Sequence, residues 1–113
     1  MQGVKKKCLH TEKTVKEKDF SICVLYDIYS PLISQKKRDV FELSYWEDMS
    51  LSEIAEHTGT TRQGVRELIK RTCDELVEYE RLLHLKENRE KILDVIGGIE
   101  SEEIREKIKN ILT

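Results

Sequence analysis

The sequence predicts an all-α fold, a helical bundle with one long helix and a C-terminal helical extension, and three observations carry that prediction. Apolar residues recur at three- and four-residue spacing from Phe20 onward, and no stretch alternates as a half-buried strand would. Two signatures of the form Ser/Thr-x-x-Glu/Gln, which start helices, stand at residues 50 to 53 and 60 to 63. With 38% hydrophobic and 37% charged residues among 113, the composition suits a single core of amphipathic helices with solvated outer faces.

The elements follow in order. Residues 1–17 hold five of the six lysines that precede Phe20 and show no sustained apolar period, so a flexible basic N-terminal arm is expected. From Asp19, the apolar residues Phe20, Cys23, Val24, Ile28 and Leu32 describe an amphipathic helix. Pro31 disfavours the helical conformation at Ser30 and should bend or end that helix there. Ser34 then offers an N-cap for a second helix, residues 34 to about 47, with Val40, Leu43, Ser44 and Trp46 on one face. Lys36, Lys37 and Arg38 fall in its first turn, where the helix dipole disfavours cations. A partner's phosphate would relieve that conflict, which makes these three candidate phosphate contacts; ordinary solvated cations are the alternative.

Ser50-Leu51-Ser52-Glu53 reads as a capping box that opens a short helix with Leu51, Ile54 and Ala55 inward, and Gly59 is its expected terminator. Thr60-Thr61-Arg62-Gln63 reads as a second capping box. The long helix it opens carries Val65, Leu68, Ile69, Thr72, Cys73, Leu76, Tyr79 and Leu83 on one face. Beyond Leu85 two short helices are expected. Ile92, Leu93, Val95 and Ile96 precede a break at Gly97-Gly98, and Ser101 caps a last helix with Ile104, Ile108, Ile111 and Leu112 on one side. The expected organisation is an arm over 1–17, a helical domain over 18–86 and an extension over 87–113.

The spacing from Ala55 to Leu68 is the most specific feature. Ala55 is small enough for a second helix to pack close, Gly59 supplies a left-handed turn, and Val65 and Leu68 fill the space between the helices. Each demand is steric, and together they predict a helix-turn-helix. Its second helix presents Thr60, Thr61, Arg62, Gln63, Arg66, Glu67, Lys70 and Arg71 at its start and outer face. Residues 60 to 71 hold four cations (Arg62, Arg66, Lys70, Arg71) against one anion, Glu67, for a local charge of +3. Arginine can bond the guanine edge bidentately, glutamine the adenine edge, and glutamate can accept from cytosine. The threonine hydroxyls and the helix N-terminus suit phosphate oxygens. Double-stranded DNA is therefore the expected partner, with a purely protein-binding use of the same helix pair as the alternative.

Residues 72 to 113 carry eleven acids and seven Lys or Arg, a net −4 that would not wrap a phosphate backbone. Tyr79, Leu82, Leu83, Leu85 and Ile92 exceed what a helical extension leaves in water, and a homodimer contact is one expected use for them. No glycine-rich phosphate loop, no nucleophile with a neighbouring base, and no carboxylate pair points to catalysis. Cys8 and His10 lack a second ligand pair, so no metal is expected. Three widely spaced cysteines fit a reducing compartment, and no apolar run is long enough for a membrane span, so a cytoplasmic protein without a membrane partner is expected.

The segments Leu25-Tyr26-Asp27-Ile28-Tyr29, Lys37-Arg38-Asp39-Val40-Phe41-Glu42-Leu43 and Leu51-Ser52-Glu53-Ile54-Ala55-Glu56 stand in one register with Arg62-Gln63-Gly64-Val65 and Ile69-Lys70-Arg71-Thr72. Glu78-Tyr79-Glu80 and Leu83-His84-Leu85 follow in the same register. Together they resemble the YlxM family of small bacterial proteins and, more distantly, region 4 of bacterial sigma factors. That resemblance implies a sigma-region-4-like DNA-binding fold and a regulatory link to the signal recognition particle pathway. It also implies an alternative role, an accessory protein that contacts signal recognition particle RNA or its protein component without binding DNA. The sequence departs from the family at Gly64, Arg66 and Leu68, where alanine, tyrosine and asparagine are more usual, so a shared target sequence is not implied.

Overall fold

The computed structural model describes residues 20 to 112. Six α-helices run among them: α1 (Ser21–Tyr29), α2 (Gln35–Tyr45), α3 (Leu51–Thr58), α4 (Arg62–Leu83), α5 (Leu85–Ile96) and α6 (Glu102–Leu112). The basic arm, Cys8 and His10 lie outside the described residues. Pro31 acts as its chemistry requires: α1 stops at Tyr29 and Ser30–Leu32 form a 3₁₀ turn with the proline inside it. Ser34 is extended and accepts a hydrogen bond from the Lys37 amide, so it caps α2 as expected. That helix ends at Tyr45, two residues short of the expected limit.

Two clusters of buried side chains hold the bundle together. In the first, α1, the end of α2 and the middle of α4 bury Ile22, Tyr26, Tyr29, Phe41, Tyr45 and Leu76, with Cys23 inside and Cys73 at its edge. The rings of Tyr26, Phe41 and Tyr45 stack at 4.3 and 4.2 Å, and Trp46 meets the first two edge-on. Such offset and edge contacts contribute about 0.5–1.5 kcal/mol each beyond area burial. Both cysteines thus pack as the small apolar residues that the helical spacing predicts.

In the second cluster Val40 of α2, Ile54 and Ala55 of α3 and Val65 of α4 meet, flanked by Leu43, Met49, Leu51 and Leu68. Ile69 touches both clusters, so α4 is the spine on which the two are joined. Thr72 sits fully buried on that spine, and its hydroxyl donates to the Leu68 carbonyl at 2.7 Å, which removes the cost of burying it.

At the far end, α4 and α5 are separated by one residue, His84, with φ of +56°. The turn is held by side chains from elsewhere. Tyr29 donates its hydroxyl proton to Glu80 at 2.7 Å and accepts from the Leu85 amide at 3.1 Å. The Glu80 carboxylate in turn accepts from the Lys86 and Glu87 amides, both at 3.0 Å, and so caps α5. In α5 and α6 only Ile96 is buried. Ser101 accepts from the Ile104 amide and opens α6, as its position predicts. No described helix is long and apolar enough to cross a membrane, and no described group of His, Cys, Asp and Glu is placed to hold a metal ion.

Candidate nucleic-acid interface

The turn between α3 and α4 is built almost entirely by short-range hydrogen bonds. Ser50 accepts from the Glu53 amide at 3.1 Å while Glu53 accepts from the Ser50 amide at 2.8 Å, a complete capping box. Gly59 ends α3 with φ of +73°, a conformation that a side chain would strain. The Thr60 amide returns to the Ala55 carbonyl at 3.0 Å, so the chain reverses directly over the small residue. Ala55 and Val65 are then both buried and lie in one cluster, as the spacing requires.

The start of α4 differs from the expected capping box by one residue. The N-cap is Thr61, whose hydroxyl accepts from the Gly64 amide at 2.9 Å. Thr60 instead pairs with the Thr58 hydroxyl at 3.0 Å, and the Gln63 amide group reaches forward to Glu67 at 3.4 Å. The cause is the turn itself: Thr60 lies in the bend after Gly59, and Thr61 is the residue with the extended backbone that an N-cap typically takes. Gly64 fits that arrangement, since a Cβ there would stand 3.2 Å from the Thr61 hydroxyl.

Thr60, Thr61, Arg62, Gln63, Arg66, Glu67, Lys70 and Arg71 are all exposed. At 100° per residue, Arg62 and Arg66 share one edge of the outer face, Gln63, Glu67 and Lys70 its centre, and Arg71 the opposite edge. Lys70 is held by Asp74 at 3.0 Å, a surface pair with about two-thirds of each side chain exposed. Arg62, Arg66 and Arg71 make no side-chain hydrogen bond or ion pair with any described residue.

The three cations of α2 separate by role. Lys37 reaches across to Glu75 of α4 at 2.5 Å, with both side chains largely covered, and so ties the two helices together. Arg38 folds back on Gln35 at 2.7 Å and on the Ser30 carbonyl at 3.3 Å. Lys36 alone among them is exposed, and it lines a cleft of about 370 Å³ with Asp39, Val40, Thr58, Thr60 and Leu68, beside the start of α4. A neighbouring cleft between α2 and α3 is lined by Asp39, Glu42, Glu47, Trp46 and His57, an acidic surface that repels phosphate. Sequence reasoning did not find Glu75 or Glu80 as structural partners. Nothing local marks either residue, because their partners Lys37 and Tyr29 lie 38 and 51 residues away.

The fold and this site define a small, all-helical protein organised around a helix-turn-helix. The family described as "Putative helix-turn-helix protein, YlxM / p13 like" matches residues 16–112. A UPF0122 protein of Clostridium kluyveri is 42% identical over 106 residues, covering 85% of this chain and 96% of the relative. One from Ureaplasma urealyticum is 34% identical over 96 residues, covering 85% of this chain and 97% of the relative. One from Limosilactobacillus reuteri is 46% identical over 69 residues, 61% of each chain. The chain belongs to the UPF0122 family of YlxM / p13-like helix-turn-helix proteins.

Proposed function

We propose that the chain is a non-catalytic DNA-binding regulator in which the N-terminal half of α4 enters the major groove. The observation that carries this reading is the state of the cations: Arg62, Arg66 and Arg71 are exposed and bonded to no described residue, in the N-terminal half of a helix whose other charges are paired or acidic. Arg62, Gln63 and Arg66 read base edges, in the way the second helix of such a motif uses its N-terminal residues. Thr60, Thr61 and Lys36 face the phosphates, and Glu67, Lys70 and Arg71 complete the surface. The likeness to sigma region 4 supports the same orientation. Two copies, joined away from α4's start, would set two reading helices on one duplex. The setting is the cytoplasm, and the resemblance to YlxM proteins supports regulation connected with the signal recognition particle pathway.

A second reading, in which the same basic face contacts signal recognition particle RNA or its protein component, is separated by titrating DNA and RNA duplexes of one mixed sequence. Major-groove reading predicts tighter binding to DNA and a loss on Gln63→Ala. Tighter binding to RNA that ignores Gln63→Ala would reject it, because the deep, narrow groove of RNA hides base edges from a helix.

A further inference from the structure

The last two helices leave an apolar groove open to water. It measures about 280 Å³ and is lined by Ile28 of α1, Leu85 and Ile92 of α5, and Ile111 and Leu112 of α6, together with the polar Asn88 and Arg89 of α5. Leu85 is 49% exposed and Ile111 81%, where a helix packed only within its own chain would turn such residues inward. Three further apolar side chains of the same two helices, Leu93, Val95 and Ile104, are also exposed. We infer that this groove is an isologous interface between two copies of the chain, the α5–α6 pair of one seated against that of the other; this names the surface for the homodimer proposed above.

Charge argues for a second copy as the occupant. Helix α5 carries Lys86, Arg89 and Lys91 against Glu87, Glu90 and Asp94, and α6 carries Arg105, Lys107 and Lys109 against Glu102, Glu103 and Glu106. Each helix is therefore neutral, and each closes two pairs within itself: Lys86–Glu90 and Lys91–Glu87 in α5, Lys107–Glu103 and Lys109–Glu106 in α6. A surface that meets its own image pays no like-charge penalty only if it is neutral. The start of α4, at +3 over residues 60 to 71, would repel its copy, whereas the α5–α6 pair does not.

Area agrees with this assignment. A standard interface covers about 800 Å² on each partner, roughly a tenth of a small protein's surface. Here that is about a tenth of 7572 Å², and α5 and α6 hold 23 of the 93 described residues with a single one buried. Geometry agrees too. The groove adjoins the C-terminal end of α4, and 22 residues of helix, about 33 Å at 1.5 Å each, separate that end from Arg62. Pairing through α5 and α6 leaves the reading end of each copy uncovered.

Sedimentation equilibrium of the full chain without nucleic acid tests the inference. Wild type is expected at twice the chain mass, and Ile111→Glu and Leu85→Glu at the single chain mass with unchanged helical circular dichroism. Ile111 is so exposed that its substitution cannot unfold the monomer, which keeps the test valid if Leu85→Glu folds poorly. Val77→Glu, an exposed apolar site outside the groove, is expected to remain dimeric. A monomeric wild type would overturn the homodimer itself. A dimeric wild type whose Ile111→Glu and Leu85→Glu forms stay dimeric would overturn only this surface, as would dissociation by Val77→Glu. None of these outcomes depends on whether α4 binds DNA.

Discussion

Tyr29 and Glu80, 51 residues apart, share a hydrogen bond of 2.7 Å at the point where α4 gives way to α5. The pair fixes the end of α1 to the end of α4, and each partner also serves the start of α5: Tyr29 accepts the Leu85 amide, Glu80 those of Lys86 and Glu87. An α5 start opened by a residue with φ of +56° has no cap of its own, so these two side chains replace it. Glu80→Ala removes all three of its contacts and is expected to destabilise the protein by about 1–2 kcal/mol in urea unfolding. Tyr29→Phe should cost about 1 kcal/mol. An unchanged midpoint for Glu80→Ala would show that the α4–α5 joint is held by packing alone.

The same pair sets a pH dependence. Burial pushes the Glu80 carboxyl up, but the Tyr29 hydroxyl and the Lys86 and Glu87 amides together hold it below the usual carboxylate range. A carboxyl lowered in the folded state contributes stability above its unfolded value, and that stability is lost as pH falls through the folded value. The Tyr29 hydroxyl is raised, by burial and then by the Glu80 hydrogen bond, so its contribution is present below the ordinary tyrosine value and lost as pH rises past it. Melting temperature followed against pH should therefore fall on the acid side. Glu80→Gln should flatten that acid limb, and an acid limb of equal slope in the variant would assign it to other carboxylates.

Thr61, not Thr60, caps α4. Thr61→Ala is expected to lower stability by about 1 kcal/mol, and Thr60→Ala by less than about 0.5 kcal/mol. Thermal unfolding of the two variants side by side decides between them. A larger loss for Thr60→Ala would restore the capping box that the sequence suggests.

Lys36 and Lys37 are neighbours with opposite assignments. Lys37 is spent on Glu75, so Lys37→Ala should cost about 1 kcal/mol of stability. Lys36→Ala should leave stability unchanged and reduce the salt slope of duplex binding by about one. Equal effects of the two variants on binding would place both on the phosphates.

Much of the fold was legible because its determinants are local. Pro31, Ser34, Ser50 with Glu53, Gly59 and Ser101 each mark an element boundary by a steric or hydrogen-bonding demand within four residues, and the structure places a boundary at each. Ala55, Val65 and Leu68 were likewise readable, since their spacing is the packing distance between two helices. What was not legible depends on contacts across the chain. The committed state of Lys37 and Arg38 needs Glu75 and Ser30 brought alongside, and the joint at His84 needs Tyr29 from α1. The misplaced cap had a different origin: Thr60 and Thr61 both carry the right hydroxyl, and only the length of the turn after Gly59 selects the second.

Whether the start of α4 reads DNA is tested by fluorescence anisotropy of the full chain on mixed-sequence duplex DNA at two salt concentrations, wild type beside Arg62→Ala/Arg66→Ala. Wild-type binding is expected to weaken steeply with salt, and the double variant, equally stable, to bind more weakly at both concentrations. No binding at about 50 mM salt, where even non-specific DNA-binding proteins associate, or full binding by the double variant, would contradict it.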